Sequence, residues 1–275
     1  MMPGNSYDLA PAADHAGESC HQNTGVRSVT AWLSNRLGDG PVRRMVPRVL
    51  AAGPLTGPLP RLASRVPEIW LVRVPEHTAT AGQEDLQLLD GTERARLGAF
   101  RRQADRDRFR ASHIALRRLL GAYLGEADPA AVTIGRAPCR GCGGPHGRPV
   151  TKDGGPQFSL SHSGDLALIA VADTLVGTDV ETVRDIGAVN AIAPELHPRE
   201  RAELATLPHD DRPVALARCW TRKEAYCKGT GHGLAAGLDT VYVGTGPTPA
   251  PLPGWTLADV PVDAGHAAAV ALATS

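Results

Sequence analysis

Gly177-Thr178-Asp179-Val180-Glu181 sets two carboxylates two residues apart. On an extended strand, residues i and i+2 point to the same face. Two carboxylates side by side repel unless a cation lies between them. Oxygen ligands of this kind suit magnesium, which takes one or two carboxylates and completes its shell with phosphates and water. A solvated strand end is the plainer alternative, since acidic residues mostly sit at the surface.

A second constellation runs from Trp220 through Thr221-Arg222-Lys223-Glu224-Ala225-Tyr226-Cys227-Lys228-Gly229-Thr230-Gly231-His232-Gly233 to Leu234. Glu224 and Lys228 lie four apart and share one helix face. Trp220 stands one turn earlier on that face. An ordinary surface Glu–Lys pair accounts for the spacing, but not for Gly229, Gly231 and Gly233. Three glycines so close predict a backbone that must approach something closely. The third segment is Phe158-Ser159-Leu160-Ser161-His162-Ser163-Gly164. Phe158 and Leu160 alternate as on a strand with one buried face. The hydroxyls and imidazole that follow can hold phosphate oxygens or simply form a polar turn. A serine hydrolase is a poor fit, because adjacent Ser and His rarely give nucleophile–base geometry and no Gly-x-Ser-x-Gly elbow is present.

The elements that must position these residues follow from periodicity. Ile69–Val74 predicts a strand, followed by a helical stretch through Phe100. Phe109, Leu116, Leu120 and Tyr123 repeat at helical spacing. Strands are expected at 132–134, 158–161, 166–172 and up to Asp179–Glu181, then at 240–243, 255–260 and 266–272. Pro213 can open a helix at its first position, and glycines from 229 onward can end it. Each half of this stretch reads as helix plus antiparallel strands, an α+β pattern. Residues 1–65 mix Pro, Gly, Ser and Arg without period, so a weakly ordered extension is expected, with a short helix near 42–52. The expected divisions are 1–65, 66–165 and 166–275.

The chain has 275 residues, 42% hydrophobic and only 4% aromatic, so aliphatic side chains must build the core. Lys plus Arg and Asp plus Glu number 29 each. That balance gives no general pull toward nucleic acid or membrane. No apolar run approaches the ~18 residues of a membrane span. The first ten residues lack the pattern of a secretory signal. Five cysteines, an odd number in a chain of this size, do not suggest a disulfide scaffold. A cytoplasmic protein with reduced thiols is expected.

Taken together, the three segments resemble the monomeric, surfactin-synthetase-activating type of 4'-phosphopantetheinyl transferase. That family's pattern is Ser-His-Ser, then Gly-(Val/Ile)-Asp-(Val/Ile)-Glu, then Trp-x-x-Lys-Glu-x-x-x-Lys-x-x-Gly-x-Gly-Leu. All three occur here in order, over about residues 69–272, with Thr178 in place of the usual aliphatic residue. The resemblance implies a pseudo-dimer of two similar subdomains, each a helix packed on a small antiparallel sheet, with the active site between them. It implies a magnesium-dependent enzyme, with manganese as an alternative ion, that moves the phosphopantetheine arm of coenzyme A to a serine of an apo acyl or peptidyl carrier protein. Asp179, Glu181 and Glu224 match its metal ligands, and Lys228 its lysine near the phosphates. Ser161 and His162 match contacts to the adenosine 3'-phosphate. Arg148, before Pro149, matches a basic contact to coenzyme A. Arg96 and Arg108 fall near further phosphate contacts, aligned through Phe100 and Arg117. Glu224, or a water it orients, is the candidate base, and Lys228 the candidate for neutralising the leaving side. Long members of this type tend toward secondary metabolism.

Cys139-Arg140-Gly141-Cys142 followed by His146 resembles half a zinc knuckle, or else a Gly-rich loop leading to Arg148. Two other classes compete with the enzyme: a non-catalytic module that grips carrier proteins, and a zinc-knuckle nucleic-acid binder. Turnover separates the enzyme from the first, and bound coenzyme A from the second.

Overall fold

The computed structural model describes residues 45–80, 82, 84–140, 143–145, 147–152, 154–232 and 237–274. Strand β1 (Arg48–Val49) is followed by β2 (Glu68–Arg73), α1 (Val74–Thr80), α2 (Gly91–Ala99) and the long α3 (Gln103–Leu124). Next come β3 (Ile134–Arg136), β4 (Pro149–Thr151), β5 (Gln157–Ser163), β6 (Leu166–Ala172) and β7 (Val176–Thr182). Helices α4 (Ile186–Ile192), α5 (Pro198–Thr206) and α6 (Arg212–Thr230) lead to β8 (Trp255–Asp259) and β9 (His266–Ala273). The result is α+β. One sheet runs β1-β2-β6-β5 and a second runs β7-β9-β8, with β3 and β4 as a separate pair.

The order of layers is written in the strand β6, Leu-Ala-Leu-Ile-Ala-Val-Ala, which is buried at every position. An alternating strand has one wet face; a uniformly apolar one must be covered on both. Ala167, Ile169 and Val171 join Trp70, Val72 and Phe158 against Leu116, Leu119 and Leu120 of α3. Leu166, Leu168, Ala170 and Ala172 face the other way, onto Val176, Val180, Val270 and Leu272 of the second sheet. The far face of that sheet, at Ala269 and Ala271, packs on Ala225 of α6. Helix, sheet, sheet, helix is therefore the layering.

Four expectations change. β6 pairs along its length with both β2 and β5, so residues 166–172 belong to the first sheet and not to a division that starts at 166. The expected extension does not hold its boundary at 65. Arg48 and Val49 pair in parallel with Trp70 and Leu71 instead of forming a helix. Leu50 is buried, and Leu55, Leu59 and Leu62 pack on the α3 core. The segment gains what its lack of period concealed: single leucines spaced along an extended path, with Leu59 N–H bonded to Ala122 O at 3.0 Å. Residues 1–44 lie outside the described residues. Finally, 240–243 is not a strand. Its polar backbone is claimed by side chains of α5 and α6, described below. The helical stretch expected up to Phe100 is broken into α1, a 3-10 turn at Glu84–Leu88 and α2.

Candidate active site

Helix α6 and strand β7 bring the acidic residues together, and two glycines set how closely. A Cβ on Gly177 would lie 2.0 Å from Ala225 O and 2.3 Å from Gly229 N. A Cβ on Gly229 would strike the Trp255 ring at 2.7 Å. With both positions bare, the helix backbone lies directly on the strand. Residues 177, 179 and 181 share one strand face, so this contact places Asp179 and Glu181 beneath Glu224 and Lys228. Gly231 then ends the helix in the left-handed region at φ 77°, its N–H on Cys227 O. Gly233 and Leu234 lie outside the described residues.

Lys228 Nζ donates to Asp179 Oδ1 at 2.6 Å and to Ser161 Oγ at 2.9 Å. Ser161 Oγ donates to the same Asp179 oxygen at 2.6 Å. Ser163 Oγ donates to Glu181 Oε2 at 2.9 Å. Burial, and then the neighbouring charge of Asp179, raises the pKa of Glu181 and pushes that of Glu224 up to about 7. Burial lowers the pKa of Lys228, but Asp179 and Glu224 outweigh it and the net direction is upward. The arrangement is a partly buried patch with more carboxylates than cations.

Whether these residues suit a divalent cation can be judged from their chemistry. Asp179 Oδ2 is buried with no hydrogen-bond partner. A buried carboxylate oxygen left bare costs on the order of 1–3 kcal/mol or more. Burial, and then the charge of Asp179, makes Glu181 and Glu224 hold protons more tightly than usual, and Lys228 offsets this only in part. Both features fit an oxygen-liganded ion. Among the described residues, however, no three His, Cys, Asp or Glu side chains converge closely enough to hold a metal as they stand. Lys228 occupies one side of Asp179 instead.

The remaining residues singled out in the sequence divide. His162 alternates with Ser161 and Ser163 and so faces the other side of β5. The residue is exposed. Desolvation by the surrounding protein, then Arg108, His113 and Lys228, pulls its pKa down to about 4. Arg108 donates through Nε to Gly164 O at 2.8 Å, in the turn after β5, and pairs with Asp105 at 3.0 Å. Arg96 is exposed, stacked over Phe109 at 5.6 Å. Arg148 packs beside Gly231, with Cδ 3.8 Å from where a Cβ would stand. Burial and then Arg140 lower its pKa. Arg117 is not a surface cation at all: 1% exposed, it bonds Glu93, Asp90 and Val132 O. Of the cysteine cluster, Cys142 and His146 lie outside the described residues.

Sequence reasoning missed the roles of Lys223, Arg222 and Ser159. Lys223 turns away from the acidic patch to Glu200, at 2.8 Å, with both side chains almost fully buried. Arg222 grips Asp259 through two nitrogens, at 2.7 and 2.6 Å, and donates to Gly244 O and Gly246 O. Glu200 accepts from Val243 N, and Glu203 from Thr245 N. These contacts hold 241–246 without a sheet. Ser159 accepts from Thr178 N at 3.0 Å. The Thr178 hydroxyl, where an aliphatic residue is usual, is satisfied by Ala269 O at 2.9 Å. The alternation 159, 161, 163 was the available signal for the serines.

Comparison with known proteins gives one consistent result. A sequence model of the 4'-phosphopantetheinyl transferase superfamily matches residues 175–271, the stretch carrying Asp179, Glu181, Glu224 and Lys228. The 4'-phosphopantetheinyl transferase HetI of Nostoc sp. is 35% identical over 225 residues, covering 78% of this chain and 91% of its own length. A putative 4'-phosphopantetheinyl transferase of Synechocystis sp., slr0495, is 29% identical over 64% of this chain and 69% of its own. A 4'-phosphopantetheinyl transferase of Bacillus subtilis is 26% identical over 60% of this chain and 70% of its own.

Proposed function

Given that the chain belongs to the 4'-phosphopantetheinyl transferases, we propose that it takes the phosphopantetheine arm from coenzyme A and places it on a serine of an apo acyl or peptidyl carrier protein. The observation that carries this reading is the meeting of Asp179, Glu181, Glu224 and Lys228 where β7 and α6 touch. We read the two helix-on-sheet halves as a pseudo-dimer of the surfactin-synthetase-activating type, acting as a monomer in the cytoplasm. Carriers of secondary metabolism are the preferred partners.

Asp179, Glu181 and Glu224 would hold magnesium, or manganese in its place. When bound, the ion supplies positive charge at the pyrophosphate oxygens. Glu224, or a water it orients, would take the proton from the carrier serine. The serine oxygen forms a bond to the phosphorus of the pantetheine phosphate. The bond from that phosphorus to the bridging oxygen breaks, and adenosine 3',5'-bisphosphate leaves. Lys228 faces the same carboxylates and would offset charge on the departing side. His162, Arg108 and Arg148, with Arg96 further out, are the proposed contacts to coenzyme A phosphates. His162, neutral when alone, gains a proton when a phosphate approaches.

The test is incubation of the full chain with coenzyme A, magnesium and a panel of apo carriers, read by intact mass. Gain of one phosphopantetheine by a carrier, lost with chelator and restored by magnesium or manganese, is the expected result. No gain on any carrier, with coenzyme A bound, favours a binding module instead.

A further inference from the structure

Strand β5 presents three serines to the second sheet at i, i+2 and i+4. They meet β7 at its outer edge, the one not paired with β9. Ser159 accepts from Thr178 N at 3.0 Å and Ser163 from Thr182 N at 3.1 Å. These hydroxyls do what a neighbouring strand would do for an edge. Ser161, between them, does something else. Its proton goes to Asp179 Oδ1 at 2.6 Å, and its oxygen accepts from Lys228 at 2.9 Å. Ser163 spends its proton on Glu181 at 2.9 Å.

A serine hydroxyl has one proton to give. Both of these are given to carboxylates, and Ser161 is 7% exposed. Neither proton is left for a phosphate. Asp179 is held through one oxygen only, which leaves the buried Oδ2 bare and fixed in direction. We infer that Ser161 and Ser163 are positioning residues that orient Asp179 and Glu181 toward a divalent cation, the Ser161 hydroxyl proton being committed to Asp179. The inference rests on the metal reading above. It divides the Ser-His-Ser segment that the motif groups together: Ser161 and Ser163 serve the carboxylates, while His162, on the opposite face of the strand, serves the ligand side.

The experiment measures Mn2+ affinity by electron paramagnetic resonance on the full chain saturated with coenzyme A. It also measures affinity for coenzyme A and dephospho-coenzyme A without metal. Groups that orient a metal ligand typically change affinity by roughly 10- to 100-fold when removed. Ser161→Ala should weaken Mn2+ by that order, Ser163→Ala in the same direction, and neither should change the ratio between the two coenzymes. His162→Ala should do the reverse. Ser159→Ala, which touches only backbone, should lower the melting temperature and leave Mn2+ affinity unchanged. Unaltered Mn2+ affinity in a folded Ser161→Ala chain, or a loss confined to coenzyme A over its dephospho form, overturns the inference. Asp179→Asn keeps the two readings apart. If it too binds Mn2+ normally, the metal reading fails and the serine role with it. If it loses Mn2+ while Ser161→Ala does not, the serine role alone fails.

Discussion

Helix α6 carries two lysine–carboxylate pairs, and they are built in opposite ways. Lys223 and Glu200 are almost fully buried, and every oxygen of Glu200 is claimed: by Lys223, by Val243 N and by His197 N. Lys228 and Asp179 also pair closely, but Asp179 keeps a bare oxygen and two further carboxylates crowd it. The first pair is complete without a ligand. The second leaves a buried oxygen unsatisfied and its carboxylates crowded. Two lysines five positions apart on one helix thus make a rivet on one face and an unsatisfied acidic patch on the other. Polar satisfaction, more than charge or motif membership, tells them apart.

Changing one residue on each face should break the comparison in different observables. Glu224→Gln keeps the shape and removes the carboxylate charge. Transfer should fall roughly 100-fold or more, with a melting temperature equal to or above that of the parent because like charge is relieved. Activity within a few-fold of the parent would remove Glu224 from the mechanism. Lys223→Ala should do the opposite. It strands a buried carboxylate, which costs about 3–5 kcal/mol, and frees 241–246. Chemical denaturation should show the loss, while whatever fraction stays folded keeps the Mn2+ affinity of the parent. A stable Lys223→Ala chain with impaired metal binding would show that Lys223 belongs to the site.

The sequence made one of these faces legible and hid the other. Asp179, Glu181, Glu224 and Lys228 could be found because period-2 and i+4 spacing are local properties. The strand β6 was legible for the same reason. Lys223 stands next to Glu224 in the motif, but adjacent helix residues point about 100° apart. Its partner Glu200 is 23 positions away, a distance that no local pattern spans. Arg117 was likewise taken only as a landmark for the proposed phosphate-contacting arginines, because its partners Asp90 and Glu93 lie at the start of α2. The segment 45–65 was missed for a related reason. Its leucines fill gaps in a core made by α3 and β2, so they follow the spacing of those gaps and have no period of their own.

That segment supplies the next test. Leu50 is 3% exposed among Trp70, Val72 and Leu116, its N–H bonds Leu71 O at 2.8 Å, and its carbonyl lies 3.0 Å from His77 Nε2. Leu50→Ala should cost about 2–5 kcal/mol, as for other buried leucines. A chain beginning at Ala63, which also loses Leu55, Leu59 and Leu62, should melt lower still. Equal melting of parent and Leu50→Ala would mean that the segment adds little to the fold.

The smallest expected effect sets Glu93 against Glu224, two partly buried carboxylates shifted in opposite directions. Desolvation acts to raise the pKa of Glu93, as it does for Glu224. Here it is overcome by His113, by the Asp90 N–H and by Arg117, which lower the pKa from 4.5 to about 2. The geometry is a capping box: Asp90 N donates to Glu93 Oε2 at 2.9 Å, and Glu93 N to Asp90 Oδ1 at 2.9 Å. Arg117 Nε adds a bond at 2.6 Å, and His113 Nδ1 stands 2.9 Å from the other oxygen. Because the folded pKa lies below the unfolded one, the folded chain binds fewer protons there, and stability falls as pH falls. The contribution is full above about 4.5 and is lost as the pH approaches about 2. Thermal melts of parent and Glu93→Gln between those limits should therefore converge as acid is added, with the parent the more stable at the upper end. A gap that stays constant across the range would mean that Glu93 acts through shape and hydrogen bonding alone. The charge contrast with Glu224 would then be lost.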